Sequence, residues 1–498
     1  MAETVEIRRV RMLFPPAVLE GLARIHHRRQ SSLYLTGGSV RDLLLQRTAV
    51  DLDLTVGRDA AAWAADLQQE AGGTLVPLGR DEDAARLVHR GLDIDFSSFR
   101  EGARTIEQEL KKRDITINSM ALCLDNLFGT GEEDLPLIDP VGGAADLADG
   151  LIRMTSRHAF RSDPLRMVRV YRFAACFSWT VEEKTAAMVS SRADLLARSA
   201  PERISHELDL IMRSQRAHAA FAAMAGTGLL WSIIPELRAG VGMAQPASHH
   251  LDVFAHSLAA LDNMERIIAG PESYFGEHGK LIGTWLEKGR RRVRLKWAAL
   301  LHDLGKPVTY GINEDKGNRI TFYNHDREGA RLFEEIARRL KMSGDDRRAV
   351  AALIAHHMWP FHLNNVRRQG KLSLKARIKI ARTIGDELPG LFLLSMADAL
   401  AGLGEARPEA VEEEIVSLFR EVEEVRASHV EPALQAPPLV SGRDLIDIFG
   451  LTPGPHFRRL LQSVEEARLE KKITTRQQAL HLLEKLLKQK NDGGPSRS

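Results

Sequence analysis

The sequence predicts a small mixed α/β domain followed by an almost wholly helical remainder. Three observations carry this. Short apolar runs rich in β-formers, cut by glycine-bearing turns, are confined to about the first 130 residues. From Leu151 onward the apolar residues recur at helical spacing instead. The length of 498 residues exceeds what one hydrophobic core organises and leaves room for roughly three or four domains.

Taken in chain order, "LYLTG" (33–37), "VDLDLTV" (50–56), "GTLVPLG" (73–79), "RLVHR" (86–90) and "LDIDFSSF" (92–99) read as strands. "SVRDLLLQ" (39–46) and "AAAWAADLQQEAGG" (60–73) read as helices, the second stopped by Gly72 and Gly73. Seams fall near residues 240–248 and in the proline-rich "EPALQAPPLVSG" (431–442), and the closing "NDGGPSRS" reads as disordered. Apolar residues make up 44% and charged residues 27%, as in soluble globular proteins, and the net charge of +2 requires any nucleic-acid surface to be a local patch. Cys123 and Cys176 offer neither a disulfide framework nor zinc spacing. They read as reduced and buried, which points to the cytoplasm. The N-terminus lacks the apolar stretch of a signal peptide, and no run of 18 uncharged apolar residues is long enough to span a membrane.

Gly37 and Gly38 lie between the first strand and a helix expected to begin near Ser39. Glycines allow close approach of backbone to a ligand, the first helical N–H groups favour an anion, and Arg41 adds a cation. A tight turn explains the pair equally. Asp51 and Asp53 then project from one face of a strand, with Val50, Leu52 and Leu54 on the other. Two like charges so close repel unless a cation lies between them, and magnesium takes carboxylate and phosphate oxygen together. The alternative is an edge strand with two solvated acids. In "LDIDFSSF", Asp93 and Asp95 again share a face; Asp95, deeper in the apolar run, is the expected third acid.

With "KKRDITINSMAL" (111–122), "DPLRMVRVYRFAA" (163–175) and "PERISHEL" (201–208) following in order, the chain resembles the tRNA nucleotidyltransferase and bacterial poly(A) polymerase family. The resemblance implies a polymerase-β-like nucleotidyltransferase head of the α/β class, followed by an all-α neck and body. It implies triphosphate contacts from Gly37, Gly38 and Arg41, with Asp51 and Asp53 as catalytic magnesium ligands. Arg113 and Asp114 fall where the family meets the ribose and phosphates of the incoming nucleotide; a carboxylate can accept from a 2′-hydroxyl. Asn118 reads as support for that turn.

Asp163 before Pro164 is a natural helix N-cap, which explains it without any ligand. Three residues on, Arg166 sets a donor fork beside that acceptor, and the pair matches the Watson–Crick edge of cytosine or adenine. The family resemblance implies the same use, as a protein template for CTP and ATP, although Ser162 stands where many relatives carry a second acid. Arg169 and Arg172 continue at three-residue spacing, suited to phosphates or to surface ion pairs. Only Glu101 to Arg104 separate "DIDFSSFR" from "TIEQELKKRD"; a longer loop there accompanies full CCA or A addition in relatives, so the gap favours addition of CC to tRNA from CTP.

Nine of the 18 histidines lie between His249 and His362. The segment resembles an HD domain, with His256, His302, Asp303 and Asp398 on its four metal positions. This implies a divalent transition metal or magnesium and a possible phosphohydrolase, against a domain retained as scaffold. "EKGRRRVRLKW" (287–297) holds six cations in eleven residues and reads as a tRNA backbone contact or a solvated loop. In the tail, a turn at Pro453–Pro455 separates helices, and Lys471, Lys472, Arg476, Lys485 and Lys488 read as a grip on tRNA or a plain amphipathic face.

The expected organisation is a nucleotidyltransferase head over 1–155, a neck and RNA-binding body over 156–240, an HD domain over 241–430 and a helical tail over 431–498. The expected reaction is metal-dependent nucleotide transfer from CTP, with ATP as a further substrate if the full CCA end is built, releasing pyrophosphate. The alternatives are a full CCA-adding or A-adding enzyme, a poly(A) polymerase, an HD phosphohydrolase whose head only binds RNA, and a noncatalytic RNA-binding scaffold.

Overall fold

The computed structural model describes residues 4–47, 51–78, 83–100, 102–129 and 134–492. Val50, Gly79 and Glu101, which figure in the expectations above, lie outside the described residues, as do the last six of the tail. The chain divides into two compact units, Met1–Pro235 and Glu236–Ser498.

The first unit is built on one eight-stranded mixed sheet. Its strands are β1 (Thr4–Val5), β2 (Leu33–Thr36), β3 (Asp51–Val56), β4 (Thr74–Pro77), β5 (Ala84–His89), β6 (Leu92–Ser98), β7 (Ala121–Cys123) and β8 (Leu135–Ile138), in the order β1-β8-β7-β2-β3-β6-β5-β4. β3 and β6 run parallel in a register that sets Asp51 beside Asp93 and Asp53 beside Asp95. Two acid-x-acid patterns 42 residues apart in sequence therefore form a two-by-two block of carboxylates. Leu52, Leu54, Ile94 and Phe96, the alternating partners, are fully buried.

The helix expected from Ser39 already begins at Gly37 and runs to Leu44, so both glycines lie in its first turn. Helix Ala60–Ala71 ends, as expected, at Gly72. The helix expected from Asp163 begins later, at Arg166, and runs to Phe177. Asp163 still caps the approach to it, because its Oδ1 accepts from the Leu165 N–H at 3.1 Å. Helix Pro201–Arg213 packs against it. Cys176 is exposed rather than buried, and Cys123 is half-buried.

The second unit is helical apart from one small hairpin, Gly311–Asn313 with Arg319–Thr321. Its core gathers helices Val253–Ala269, Arg291–Leu301, Gly344–His356 and Leu388–Ala401, the last buried on nearly every side. The tail has its own small core of Val440, Leu445, Val464, Ile473, Ala479 and Leu483. No helix among the described residues is long and apolar enough to cross a membrane.

Candidate active site and metal centre

The glycine turn and the acid strand meet. Gly38 donates its N–H to Asp53 Oδ2 at 2.8 Å, and Ser39 Oγ bridges to the Asp51 carbonyl and the Asp53 N–H. Gly37 adopts φ of +64°, and a Cβ there would stand 2.7 Å from Asp53 Oδ2 and 2.9 Å from Arg113. No other residue fits without moving the carboxylate or the guanidinium. Arg113 is buried beneath this turn and donates to the hydroxyls of Thr36 and Thr55 at 3.0 Å.

Burial pushes the Asp53 carboxyl above its usual range, against the pull of Arg113 and the Gly38 N–H. Burial and then the neighbouring Asp93 push Asp51 up as well. Paired hard carboxylates whose charge is under-compensated are the donor set that magnesium fits. Asp95 stands beside Asp53 in the sheet, but both its oxygens accept from Arg86, at 2.7 and 2.8 Å, and Arg86 also reaches Asp93 at 2.6 Å. Arg86, on the neighbouring strand, was not singled out in the sequence; only the antiparallel register of β5 and β6 brings it there.

Arg41 donates to Asn118 Oδ1 at 2.6 Å and lies over the Phe177 ring, 4.9 Å from its centroid. Asn118 thus links the glycine helix to the turn after Asp114. Asp114 is buried and accepts from Arg169 and from the Ile115 N–H. Burial opposes its ionisation, but Arg169 outweighs it and holds the carboxyl well below the usual range. Arg169 also lies 3.7 Å from Glu207, and Arg172 contacts Glu207 at 2.6 Å while covering the Phe173 face. Asp163 Oδ2 accepts from Arg203 at 2.8 Å, and Arg166 donates to the Lys112 carbonyl at 2.8 Å. "PERISHEL" supplies both Arg203 and Glu207, two residues the sequence reading left without a role. They hold the polar face of the Arg166–Phe177 helix in place.

In the second unit, His256, His302 and Asp398 bring one ligand atom each to a common buried point, and Asp303, His325 and His357 do the same beside them. His256 Nε2 is 3.0 Å from Asp398 Oδ1 and 3.5 Å from Asp303 Oδ2. His302 Nε2 is 3.2 Å from Asp303 Oδ2. The nearby carboxylates Asp303 and Asp398 override burial and push His302 up to about 10. Burial, with His325 and His302 nearby, pushes His357 down to about 3. Imidazole and carboxylate together suit a divalent transition metal. Of the basic run 287–297, Arg290 and Arg294 clasp Asp346, Arg291 lies over the Trp285 ring and Lys296 pairs with Glu265. These side chains hold the helices together rather than forming a solvated loop.

An acid pair facing a glycine turn at a helix start, on a mixed sheet, is the arrangement a nucleotidyltransferase head requires, and the second unit gathers buried groups able to hold a metal ion. Comparison with known families agrees: residues 33–153 match the poly A polymerase head domain, 179–240 the probable RNA and SrmB-binding site of polymerase A, and 253–403 the HD domain. An A-adding tRNA nucleotidyltransferase of Deinococcus radiodurans is 34% identical over 89% of this chain and 93% of its own length. A CC-adding tRNA nucleotidyltransferase of Thermus thermophilus is 29% identical over 89% and 91%, and one of Geobacter sulfurreducens 41% identical over 35% and 39%. Among solved structures, a CCA-adding enzyme complexed with ATP aligns over the full length of both chains with a TM-score of 0.64 at 21% identity, which establishes the fold. The chain belongs to the tRNA nucleotidyltransferase family and is an enzyme of nucleotidyl transfer.

Proposed function

We propose that this enzyme adds two cytidylates, and no adenylate, to the 3′ end of immature tRNA in the cytoplasm. The observation that carries the choice is the short connection between β6 and helix Ile106–Leu110, which leaves only residues 99–105 between them. Two CC-adding relatives support this reading, while the A-adding relative marks the alternative it must beat.

Asp51 and Asp53 would hold magnesium, which when bound polarises the reacting oxygens and steadies the leaving pyrophosphate. The chain's own groups do the rest. The first-turn N–H groups at Gly37–Gly38 and the Arg41 guanidinium receive the triphosphate. Asp114, fixed by Arg169, presents a permanently ionised acceptor toward the sugar. The terminal tRNA hydroxyl loses its proton to solvent as its oxygen attacks the α-phosphorus, the bond from that phosphorus to the α–β bridging oxygen breaks, and pyrophosphate departs carrying that oxygen. Asp163, still held by Arg203 and the Leu165 N–H, accepts from the exocyclic amine of cytosine through a remaining lone pair, and Arg166 donates to its ring acceptors in exchange for the Lys112 carbonyl. Asp95 completes the acid set by holding Arg86 beside the site.

The test is single-turnover extension of tRNA transcripts ending before CCA, after C and after CC, with CTP, ATP or both. Growth by two C, with the CC-ended transcript inert to ATP, is the expected result. Addition of A to the CC-ended transcript overturns it. Repeated addition of A to any transcript would make the enzyme a poly(A) polymerase.

The buried histidine–aspartate cluster supports a second activity in the Glu236–Ser498 unit. There we propose a metal ion on His256, His302, Asp303 and Asp398 and hydrolysis of a phosphoester, in which water adds to phosphorus and the alcohol leaves. Loss of that hydrolysis in His302→Ala, with tRNA extension retained, is the expected result.

A further inference from the structure

Four carboxylates share one face of the head's sheet, yet they are provided for in two different ways. β3 and β6 set Asp51 beside Asp93 and Asp53 beside Asp95, and neighbouring strands stand only about 4.8 Å apart. On the far side of β6, β5 places Arg86 directly opposite Asp95 and Val88 opposite Asp93. Arg86 Nε and Nη2 donate to the two Asp95 oxygens at 2.7 and 2.8 Å, and Nη1 donates to Asp93 Oδ2 at 2.6 Å. One planar guanidinium closes a fork on one acid and reaches diagonally to the next, a geometry that an ammonium does not copy. Asp51 and Asp53 receive no such partner. The Gly38 N–H donates to Asp53, and among the described residues no lysine or arginine forms an ion pair with either acid.

The acids of β6 need that cation. Ile94 and Phe96 are fully buried, so Asp93 and Asp95 face the same side as Asp51 and Asp53. Without Arg86 the block would hold four carboxylates with no cation among them, and like charges so close either take up protons or draw cations in. For a hard divalent ion, the pair on β6 is as good a seat as the pair on β3. A guanidinium fixed on β6 removes the choice: it occupies both Asp95 oxygens, and its charge repels a second cation from that edge. Arg86 is not there to fill the core, because its side chain is 34% exposed while its neighbours Ala85 and Leu87 are buried.

We propose that Arg86 is a positioning residue that keeps magnesium off Asp93 and Asp95 and so confines it to Asp51 and Asp53, where the triphosphate meets it. Arg86 touches neither metal nor nucleotide in this role; it acts through the two acids it holds. Asp95, the expected third acid, becomes the holder of a fixed cation instead of a metal ligand. This rests on the magnesium reading of Asp51 and Asp53, and the measurement separates the two.

The full-length chain is stripped with chelator and titrated with manganese, the free ion being followed by electron paramagnetic resonance. A reference chain carrying Asp51→Asn, Asp53→Asn, Asp93→Asn and Asp95→Asn together gives the binding of the second unit, which is subtracted. Arg86→Ala should tighten manganese binding by the head at least about tenfold, the scale of one unit charge near a divalent ion at a solvated site. In single turnover the same change should lower the maximal extension rate by about tenfold and leave the half-maximal CTP concentration within about twofold. Metal held more tightly while the reaction slows is a combination that a general loss of structure does not produce. Adding Asp93→Asn and Asp95→Asn to Arg86→Ala should return the affinity to the parent's value, because the acids that captured the ion are gone. Arg86→Lys, which keeps the charge without the fork, should fall between parent and Arg86→Ala.

Unchanged or weaker manganese binding in Arg86→Ala overturns the proposal, and so does tighter binding with an undiminished rate. A raised half-maximal CTP concentration with unchanged metal binding would place Arg86 on the triphosphate and overturn it as well. No difference between parent and reference chain overturns the magnesium reading of Asp51 and Asp53 together with the role of Arg86. Arg86→Gln should tighten the metal as Arg86→Ala does, and thermal melts of every variant separate a lost charge from a lost fold.

Discussion

The two chemical centres of this chain are built on opposite plans. In the first unit, hard carboxylates sit at the surface end of a strand, and Asp51 is exposed. Neighbouring carboxylates, the Arg86 and Arg113 guanidiniums and the Gly38 N–H stand near them, and no histidine is among the neighbours that act on Asp51 or Asp53. In the second, His256, His302, Asp303 and His357 have essentially no exposed surface, and the Nδ1 atoms of His302 and His357 are each held by a backbone carbonyl. An open oxygen site holds a metal weakly until a triphosphate supplies more ligands; a buried nitrogen-rich site holds one before any substrate arrives. The contrast teaches that, on the proposed assignments, donor chemistry and burial alone would keep an exchangeable magnesium apart from a resident transition metal.

The largest test of this contrast is Asp53→Ala. Extension of tRNA in single turnover should fall by at least about a thousandfold, the scale of losing a preorganised charge-stabilising group, while metal retained by the second unit stays constant. Conversely, His256→Ala, a change inside the other unit, should leave the extension rate within about twofold, the scale of coupling between independent sites. If Asp53→Ala also strips the retained metal, the two centres are not independent.

Legibility in the sequence followed the same divide. Asp51 and Asp53 are two residues apart, so strand periodicity alone places them on one face, and the glycine pair opens the short helix that precedes their strand. Arg86, which ties Asp93 to Asp95, was invisible because strand register decides it. The four expected HD metal positions rest on resemblance, not spacing: they run from residue 256 to 398 with no local period. His325 and His357 were noted only as histidines, since only packing of helix ends brings their Nε2 atoms together. Arg203 and Glu207 were quoted within a motif yet left idle, because their partners lie some 30 to 40 residues upstream. The basic run 287–297 misled for the converse reason, as a string of cations says nothing about the acids that wait for it in the fold.

The next effect in size concerns the support of the base-selecting helix. Glu207 is buried against Arg169 and Arg172. Glu207→Ala leaves the Arg172 guanidinium without its carboxylate, while Arg169 keeps Asp114, and should destabilise the first unit by about 2–3 kcal/mol, toward the lower end for a broken buried pair because one of the two guanidiniums stays paired. Thermal melts monitored in each unit would show the loss confined to the first. An equal loss in both units would mean that they melt as one.

A milder perturbation is pH. Asp51 and Asp53 have carboxyls pushed upward by burial and by neighbouring acids. As pH rises from the unfolded-state value, near 4, through the raised native value, the unfolded chain sheds protons first. Metal-free stability therefore falls over that window, while magnesium affinity rises. Extension should fail on acidification at a higher pH than an ordinary carboxylate dictates, and tenfold more magnesium should move that limb down by up to about one pH unit, as proton–metal competition requires. A limb that ignores magnesium would assign it to another group.

The smallest effect sharpens the comparison most finely, because it asks whether the head is preorganised as the second unit is. Arg203 is more than half exposed where it meets Asp163, so the pair contributes little to stability, within about 1 kcal/mol. Its role is positional: Asp163 Oδ1 is already taken by the Leu165 N–H, and Arg203 orients the remaining oxygen. Arg203→Ala should leave the melting temperature nearly unchanged and reduce the preference for CTP over UTP by about threefold to tenfold, since a loosened acceptor distinguishes an amine from a carbonyl less well. Arg203→Lys should restore part of the preference through its charge. If instead Arg203→Ala tightens CTP binding with selectivity intact, Arg203 competes with the base for Asp163, and the head, unlike the buried cluster, assembles its recognition edge only when the nucleotide arrives.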